Sequence, residues 1–329
     1  FGLLFNLNNN EYKHISKCDV YGRICNKQFL SNNNISLNKV YSYSNSQLVS
    51  EETNGEETNR EETVYSYNCM NNIMSIVNNN SSKQFNYDKL GRLISETITN
   101  TLNEVSDNKL ILYSYDVNGN ITNKKVYNGL NNDENNLFVE YSYEYDESYK
   151  DKLVKVNKIY KNKSDTINIG YSEDSDISIY PLKIKDNTLT WNKGRMTGFG
   201  RYQYEYNSTG QRIRKIVCNK TYKYIYDGQI LLKEEIYDSE TNNKIIFEYV
   251  YDQLNTLIGI VNDNNVYYYD RDITGEIKGI VDSNGKYVVK YTYTSFGEVE
   301  KDIDIQNNVS EYNSFMYKGY YYDEETQLF

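Results

Sequence analysis

The chain has 329 residues, 37 of them tyrosine, no alanine and a formal net charge of −10. The lack of alanine argues against a helical protein, because alanine is the best helix former, whereas Tyr, Val, Ile and Thr favour pleated sheets. The negative charge argues against nucleic acid and anionic membranes as partners, and no apolar run reaches the ~20 residues that would span a bilayer. We therefore expect an all-β protein.

The first elements carry the only histidine and a close pair of cysteines. The opening "FGLLFNLN" (1–8) is too short for a secretory signal and lacks an initiator Met, so we expect the chain to begin inside a longer protein. His14 lies in "EYKHISKC", a predicted strand edge, where packing or surface exposure is favoured over catalysis. Cys18 and Cys25 could face each other across a hairpin; the sequence leaves a disulfide open and favours free, partly buried thiols.

An acidic stretch interrupts the pattern at 51–63. Its sequence, "EETNGEETNREET", is of low complexity and rich in glutamate. Such segments bury too little apolar surface to fold alone. We predict a solvated, mobile loop between two structured segments.

One short pattern then recurs along the chain. The stretches "FNYDKLGRLISETITN" (85–100) and "YSYDVNGNITNKKVYN" (113–128) each place two aromatic residues before Asp, Gly and a run of aliphatic residues. The same pattern, more or less complete, begins at Tyr41, Tyr65, Tyr204, Tyr224, Tyr249, Tyr267 and Tyr291. A Gly-bearing loop between two such runs predicts a β-hairpin.

Each position of the repeat has a physical reason. Residues two apart on a strand share one face, so the paired aromatics lie side by side. The Asp caps the turn through its side chain, and the Gly adopts a positive φ without steric cost. One hairpin is marginal in water, but adjacent copies stabilise one another. Because the spacing varies from 18 residues (249 to 267) to 28 (85 to 113), we predict a long antiparallel sheet that spirals and curls on itself.

The repeat residues can be assigned one by one. We interpret Asp270 and Gly275 in "DRDITGE" as turn residues rather than calcium ligands, since the ligand order of a calcium loop is absent. The positions assigned to the repeat are Tyr87, Asp88, Gly91, Tyr115, Asp116, Gly119, Tyr206, Gly210, Tyr226, Asp227, Tyr251, Asp252, Tyr269, Asp270, Gly275, Gly297, Gly319, Tyr322 and Asp323.

The Tyr-Asp-x-x-Gly pattern resembles the YD repeat of bacterial Rhs proteins, wall-associated polymorphic toxins, insecticidal toxin complex C subunits and teneurins. "LKIKDNTLTWNKGRMTGF" (182–199) is similar to a single-Trp segment of Gram-positive members, and 267–299 with 315–329 resembles the Rhs repeat-associated core. The resemblance implies a spiralling β-sheet that forms a shell around a C-terminal toxin or effector. It divides the chain into divergent repeats at 1–200, and repeats running into a truncated core at 201–329.

The sequence departs from the family pattern near its end. Gln327 stands where the family has Gly, and Pro181 is the only proline, so the chain lacks the Asp-Pro pair used for self-cleavage. The expectation is a non-enzymatic shell segment, without the autoprotease or the toxin domain, and without cofactor or metal. Its expected partner is a C-terminal effector of the same full-length protein, and its expected location is secreted or at the bacterial cell surface or wall.

The tyrosine rows allow a second interpretation. Exposed rings on a β surface could stack on cell-surface glycans or contact receptors, and repetition would add avidity. The favoured interpretation is that paired tyrosines cover the inner face of the sheet and pack on cross-strand neighbours. A glycan-binding adhesion array therefore remains the alternative function.

Overall fold

The computed structural model describes residues 2–7, 10–55, 60–100, 108–161, 163–172, 180–272 and 274–329. Nearly all of the regular structure is β-strand, and the recorded pairings join strands that follow each other in the chain, always antiparallel. The predicted all-β fold of antiparallel hairpin repeats is confirmed.

The strands up to residue 200 are β1 (Gly2–Leu7), β2 (Asn10–Cys18), β3 (Ile24–Ser31), β4 (Asn34–Ser44), β5 (Gln47–Asn54), β6 (Glu61–Tyr67), β7 (Ile73–Val77), β8 (Ser81–Tyr87), β9 (Leu93–Asn100), β10 (Lys109–Tyr115), β11 (Ile121–Asn128), β12 (Leu137–Tyr145), β13 (Leu153–Tyr160), β14 (Lys163–Tyr171), β15 (Pro181–Ile184), β16 (Asn187–Asn192) and β17 (Arg195–Phe199).

The later strands are β18 (Tyr202–Tyr206), β19 (Arg212–Val217), β20 (Lys220–Asp227), β21 (Ile230–Asp238), β22 (Asn243–Tyr251), β23 (Leu257–Asn262), β24 (Asn265–Arg271), β25 (Ile277–Val281), β26 (Tyr287–Tyr293) and β27 (Val299–Ile303). The helical segments are α1 (Asn308–Tyr312) and the 3₁₀ turns Glu134–Asn136 and Tyr317–Gly319.

Two compact units make up the chain. Unit 1 comprises residues 1–42, 51–61 and 201–329, and unit 2 comprises 43–50 and 62–200. The first forty residues thus form contacts with the C-terminal part of the chain and belong to the same unit. The division into 1–200 and 201–329, drawn from the kind of repeat, stays a prediction.

In unit 2 the hairpins share a local irregularity. The register shifts by one residue at the end of each aromatic strand, between Ser114 and Tyr115 in β10 and between Asn86 and Tyr87 in β8. Such a bulge bends a strand and increases its twist. A core of Ile111, Tyr113, Val126 and Val139 covers one face of β10, β11 and β12.

In unit 1 the first strands pack against strands that come more than 200 residues later. Phe29 of β3 and Leu37 of β4 form a buried cluster with Ile258, Val266 and Tyr268 of β23 and β24. The Tyr268 hydroxyl donates to the Leu30 carbonyl at 3.1 Å. This contact closes the N-terminal strands onto the C-terminal repeats.

Strand β24 is buried on both faces. Tyr268 and Asp270 point toward the N-terminal strands, where they contact Leu30 and Lys39. Tyr269 points to the opposite face and donates to Asn313, just after α1, at 2.6 Å. Residues two apart share a face of a strand, so β24 lies between the N-terminal strands and the C-terminal segment.

Candidate functional site

The repeat turns are closed by one side-chain oxygen. Asp116 Oδ1 accepts the backbone N–H groups of Asn118 and Asn120, both at 2.9 Å, and Gly119 donates its N–H to the Asp116 carbonyl at 3.2 Å. Gly119 has φ +94, a conformation that only glycine adopts without strain. Asp88 with Gly91 and Asp252 repeat these bonds. The glycines with positive φ at other predicted positions are Gly210, Gly275, Gly297 and Gly319.

Asp270 corrects the sequence-based assignment. It lies within β24, fully buried, and the turn that carries Gly275 begins instead at Asp272, whose Oδ1 accepts the N–H of Glu276 at 3.0 Å. Because Tyr267, Tyr268 and Tyr269 are consecutive, the Tyr-Asp-x-x-Gly pattern can be aligned with the sequence in two ways, and the prediction chose the wrong one. The residue before the turn is Arg271, whereas the prediction had placed Tyr269 there.

Two further aspartates differ from the predicted cap. Asp227 is the last residue of β20 and pairs with Ile230 of β21, because the turn between these strands consists only of Gly228 and Gln229. Asp323 closes a turn through its backbone N–H, which donates to the Leu328 carbonyl at 2.8 Å. The Asp323 carboxylate does not cap that turn but binds cations of unit 1, described below.

The second aromatic residue of a repeat bonds to the preceding repeat. The Tyr115 hydroxyl donates to the Leu93 carbonyl at 2.6 Å, and Tyr87 donates to Ile73 at 2.8 Å. The acceptor is the first or second residue after the preceding turn. We call this the repeat-linking bond. The same bond is made by Tyr67, Tyr145, Tyr171, Tyr226, Tyr251 and Tyr293.

Where the second residue is not tyrosine, another donor replaces it. Trp191 Nε1 donates to the Pro181 carbonyl at 2.6 Å, and Arg271 Nη1 lies 3.4 Å from the Leu257 carbonyl. Phenylalanine occurs in the first aromatic position, as Phe85, where no donor is needed. The sequence carried this signal, but the prediction did not use it.

Burial keeps these linking groups protonated. It raises the pKa of the Tyr87, Tyr145 and Tyr226 phenols above the usual value for tyrosine. A protonated phenol is required because the carbonyl can only accept. The first aromatic residue of a pair is buried and the second only half-buried in the pairs that begin at Tyr41, Tyr65, Phe85, Tyr113, Tyr204, Tyr224 and Tyr249.

The C-terminal segment of unit 1 lies on the tyrosine row of β18 to β22. Asp323 accepts from Arg212 Nη1 at 2.5 Å and from Lys215 Nζ at 3.0 Å. Glu325 accepts from the Tyr204 hydroxyl at 3.0 Å. These pairs are largely buried, so water screens them little. Two acidic residues thus fix the segment that contains Tyr322 to cations of β19.

A buried glutamate strengthens this contact. Glu234 of β21 is fully buried and accepts from the hydroxyls of Tyr249 at 2.6 Å and Tyr321 at 2.5 Å. Burial raises the pKa of Glu234, against the two tyrosine hydrogen bonds and the nearby cations. The composition of "LLKEEI" gave no signal for this role.

The acidic stretch at 51–63 is not the loop that was predicted. Residues 51–54 belong to β5 and 61–63 to β6, and Glu51 is 1% exposed; residues 56–59 lie outside the described part of the chain. Glu51 is buried because it contacts the ammonium of Lys39, which is itself buried. A neutralising partner far away in sequence decides this placement.

Lys39 also bonds to β24. Its Nζ lies 2.5 Å from Asp270 Oδ1, while the Tyr287 hydroxyl donates to Asp270 Oδ2 at 2.7 Å. Burial alone would raise the pKa of Asp270, but the Lys39 and Lys278 charges outweigh it and lower that pKa to about 2. Burial likewise opposes the charge of Lys39, and the two carboxylates outweigh it and raise the pKa of Lys39.

Comparison with proteins of known sequence indicates the family to which the chain belongs. No family model matches the chain. Over 151 residues, 46% of the chain, it is 32% identical to the tRNA3(Ser)-specific nuclease WapA of Bacillus spizizenii and 33% identical to the tRNA nuclease WapA of Bacillus subtilis strain 168. These sequence matches agree with the repeated Tyr-Asp-x-x-Gly turn. The chain is an Rhs/YD-repeat protein. The alignment spans 6% of the length of either relative.

Solved structures are also similar to this Rhs/YD-repeat chain. One is a crystal structure of TcdB2-TccC3-Cdc42, with a TM-score of 0.45 and 15% identity, covering 95% of the chain and 19% of its counterpart. Another is the Photorhabdus luminescens Tc holotoxin pore with the TccC3 D651A mutation, with a TM-score of 0.43, 15% identity and the same coverage.

The histidine and the cysteine pair singled out in the sequence lie in or beside the first strands of the sheet. His14 is buried in β2, between β1 and β3, and stacks on Phe29 with ring centroids 4.8 Å apart, so it is not at a strand edge. Burial, with the charge of Lys27, lowers the pKa of His14 to about 4. Cys18 and Cys25 are free thiols, Cys18 exposed and Cys25 half-buried.

The described part of the chain contains neither a cluster of metal-binding side chains nor a membrane-spanning helix. No group of three or more His, Cys, Asp or Glu side chains in that part of the chain could hold a metal ion. No helix there has both the length and the apolar character needed to cross a bilayer.

Unit 1 also contains an open cavity of about 490 Å³ beside the repeat turns. Its walls include the second tyrosines of three successive repeats, Tyr206, Tyr226 and Tyr251, with Gln229 and Asn255 between them. The volume falls within the range of roughly 300–1,000 Å³ typical of small-molecule sites.

Proposed function

We propose that this chain is a non-enzymatic β-shell segment of a secreted or surface Rhs/YD-repeat toxin. It encloses and delivers a C-terminal effector of the same full-length protein. The partner is polypeptide rather than nucleic acid, and the segment works outside the cell or at the cell wall. Its net charge of −10 favours solubility of a large particle.

One observation carries the proposal. In unit 1, the last residues of the chain lie against the tyrosine row and are fixed there by buried charges, through Asp323 on Arg212 and Tyr321 on Glu234. A surface that binds extended polypeptide through aromatic rings and buried polar groups suits the inside of a container for a protein. The relatives named as tRNA nucleases agree with an effector carried by such a protein.

Limited proteolysis of the full gene product tests this function. We expect the C-terminal effector to resist protease in the intact protein and to be digested when expressed alone. The repeat segment by itself should lack the effector's activity. An effector that is cut equally fast in both forms would contradict enclosure.

The cavity walled by Tyr206, Tyr226 and Tyr251 supports a second candidate, a glycan-binding array. Phenol rings and neighbouring amides are groups that suit a sugar ring and its hydroxyls. A glycan array probed with the purified chain tests it, with a Tyr226→Ala variant as the control. Binding that the variant loses would favour this candidate, and no binding above background would remove it.

A further inference from the structure

Three side chains from distant parts of the sequence meet in the interior of unit 1. Lys39 lies on β4, Glu51 on β5 and Asp270 on β24, and each side chain is at most 2% exposed. Lys39 Nζ is 2.5 Å from Asp270 Oδ1 and also contacts Glu51 Oε1. An amine, a carboxyl carbon and a second carboxylate are therefore held together away from water.

The second oxygen of Asp270 is polarised from the other side. The Tyr287 hydroxyl donates to Oδ2 at 2.7 Å, so a hydrogen-bond donor already points at the oxygen on which charge develops during attack at the carboxyl carbon. Lys278, on the neighbouring strand, adds positive charge near the same group. The carboxyl carbon of Asp270 is thus placed for attack, and it becomes an electrophile when the carboxylate takes up a proton.

Glu51 completes the arrangement as a base. Glu51 Oε1 contacts Lys39, whereas Glu51 Oε2 is buried without a hydrogen-bond partner among the described residues. A buried carboxylate with a free oxygen next to an ammonium is placed to accept a proton from it. An amine freed of that proton is a nucleophile.

We propose that Lys39 and Asp270 condense spontaneously to an isopeptide bond, with Glu51 transferring the protons. Glu51 takes one proton from the Lys39 ammonium and passes it to one oxygen of Asp270, so that an amine faces a neutral carboxylic acid. Nζ then attacks Cγ of Asp270 to form a tetrahedral intermediate, and Glu51 moves a second proton from Nζ to the same oxygen. The bond from Cγ to that oxygen breaks, and the oxygen leaves as water with both protons. Glu51 returns to a carboxylate, so the step needs no oxidant and no further reactant.

Unit 1 contains a second buried lysine that serves as an internal comparison. Lys215 contacts Asp323 at 3.0 Å and Glu325 at 3.3 Å. Lys215 Nζ is farther from Asp323 than the 2.5 Å that separates Lys39 Nζ from Asp270 Oδ1, and the Arg212 guanidinium also binds Asp323 and occupies its second oxygen. We therefore expect one cross-link, at Lys39, and none at Lys215.

The intact mass of the whole purified chain tests the proposal. We expect a mass lower than the sequence mass by one water, and a tryptic peptide that joins the segment ending at Arg60 to the segment ending at Arg271 through Lys39 and Asp270. The full sequence mass in a freshly folded and in an aged sample would overturn the proposal and leave an ordinary ion pair.

Two variants separate chemistry from folding. Glu51→Gln removes the base but keeps the volume, and we expect it to fold with the full mass. Lys39→Arg keeps the positive charge without the amine, and it should also show the full mass. A Glu51→Gln chain that still loses one water would overturn the role of Glu51. A folded Lys39→Arg chain that loses water would place the dehydration elsewhere and overturn the cross-link.

Discussion

Tyr115 donates its phenol hydrogen to the carbonyl oxygen of Leu93 at 2.6 Å. This bond joins the turn end of one hairpin to the start of the aliphatic strand in the hairpin before it. Because the same bond recurs in both units, the second tyrosine links neighbouring repeats in addition to covering the sheet.

Replacing that hydroxyl isolates its contribution. We expect Tyr115→Phe to lower the free energy of unfolding by about 1 kcal/mol, since a typical buried hydrogen bond contributes about that much. Denaturant unfolding measures the change. Tyr149→Phe, at a tyrosine that is 66% exposed, is the control and should change stability little. Equal effects of the two variants would contradict a linking role.

Gln327 adopts a conformation that suits glycine. It has φ +57 in the turn from Asp323 to Leu328, and its side chain is exposed. A left-handed conformation costs a residue with a side chain roughly 1–2 kcal/mol. Glycine avoids this cost but loses more conformational entropy on folding, which offsets part of the gain. We expect Gln327→Gly to raise the free energy of unfolding by up to about 1 kcal/mol, and Gln327→Ala to leave it unchanged. A destabilised Gly variant would show that the Gln327 side chain has a role of its own.

Asp323 holds the C-terminal segment through two cations. Asp323→Ala leaves Arg212 and Lys215 without this partner in a largely buried setting, and losing one partner of a buried pair costs about 3–5 kcal/mol. We expect limited proteolysis to cut the segment after residue 304 faster in this variant. The matched control is Asp165→Ala, which breaks an exposed pair with Lys185; it should leave the rate of cleavage nearly unchanged, because exposed ion pairs contribute little to stability. Unchanged cleavage of the Asp323 variant would rule out this anchoring role.

The single histidine gives the protein a pH dependence of known sign. Burial lowers the pKa of His14 from 6.5 to about 4, so the unfolded chain binds a proton at a higher pH than the folded chain does. The contribution of neutral His14 to the free energy of unfolding is therefore fully present above pH 6.5. It is lost as the pH drops toward 4, and the loss amounts to roughly 3 kcal/mol in total. His14→Phe should flatten this part of the curve while keeping the contact with Phe29. Unfolding curves between pH 7 and pH 4 measure the slope, and equal slopes in both chains would refute the assignment.

The repeats were predictable because their information is local. The turn at Asp116 and Gly119 depends on residues within five positions, and the alternation of side chains along a strand follows from its geometry. The hairpin at Tyr145 and Asp146 escaped prediction because its longer loop, 146–152, contains no glycine.

The buried charges were not predictable, because each depends on a partner far along the chain. Glu51 lies in a segment whose composition resembles a solvated loop, and only Lys39 explains its burial. Asp270 carries the letters of a turn, yet an ion pair across 231 positions fixes its place. Local propensity contains no trace of such pairings, since tertiary contacts decide them.

Three identical residues in a row cannot define the register of a strand against its neighbours. Tyr267, Tyr268 and Tyr269 would look alike if β24 slid by one position, and a slip of that size turns every side chain to the other face. Asp270 and Arg271 prevent it, since the slip would carry the acid away from Lys39 and the guanidinium away from the Leu257 carbonyl. In a strand with three consecutive tyrosines, two charged residues set the alignment.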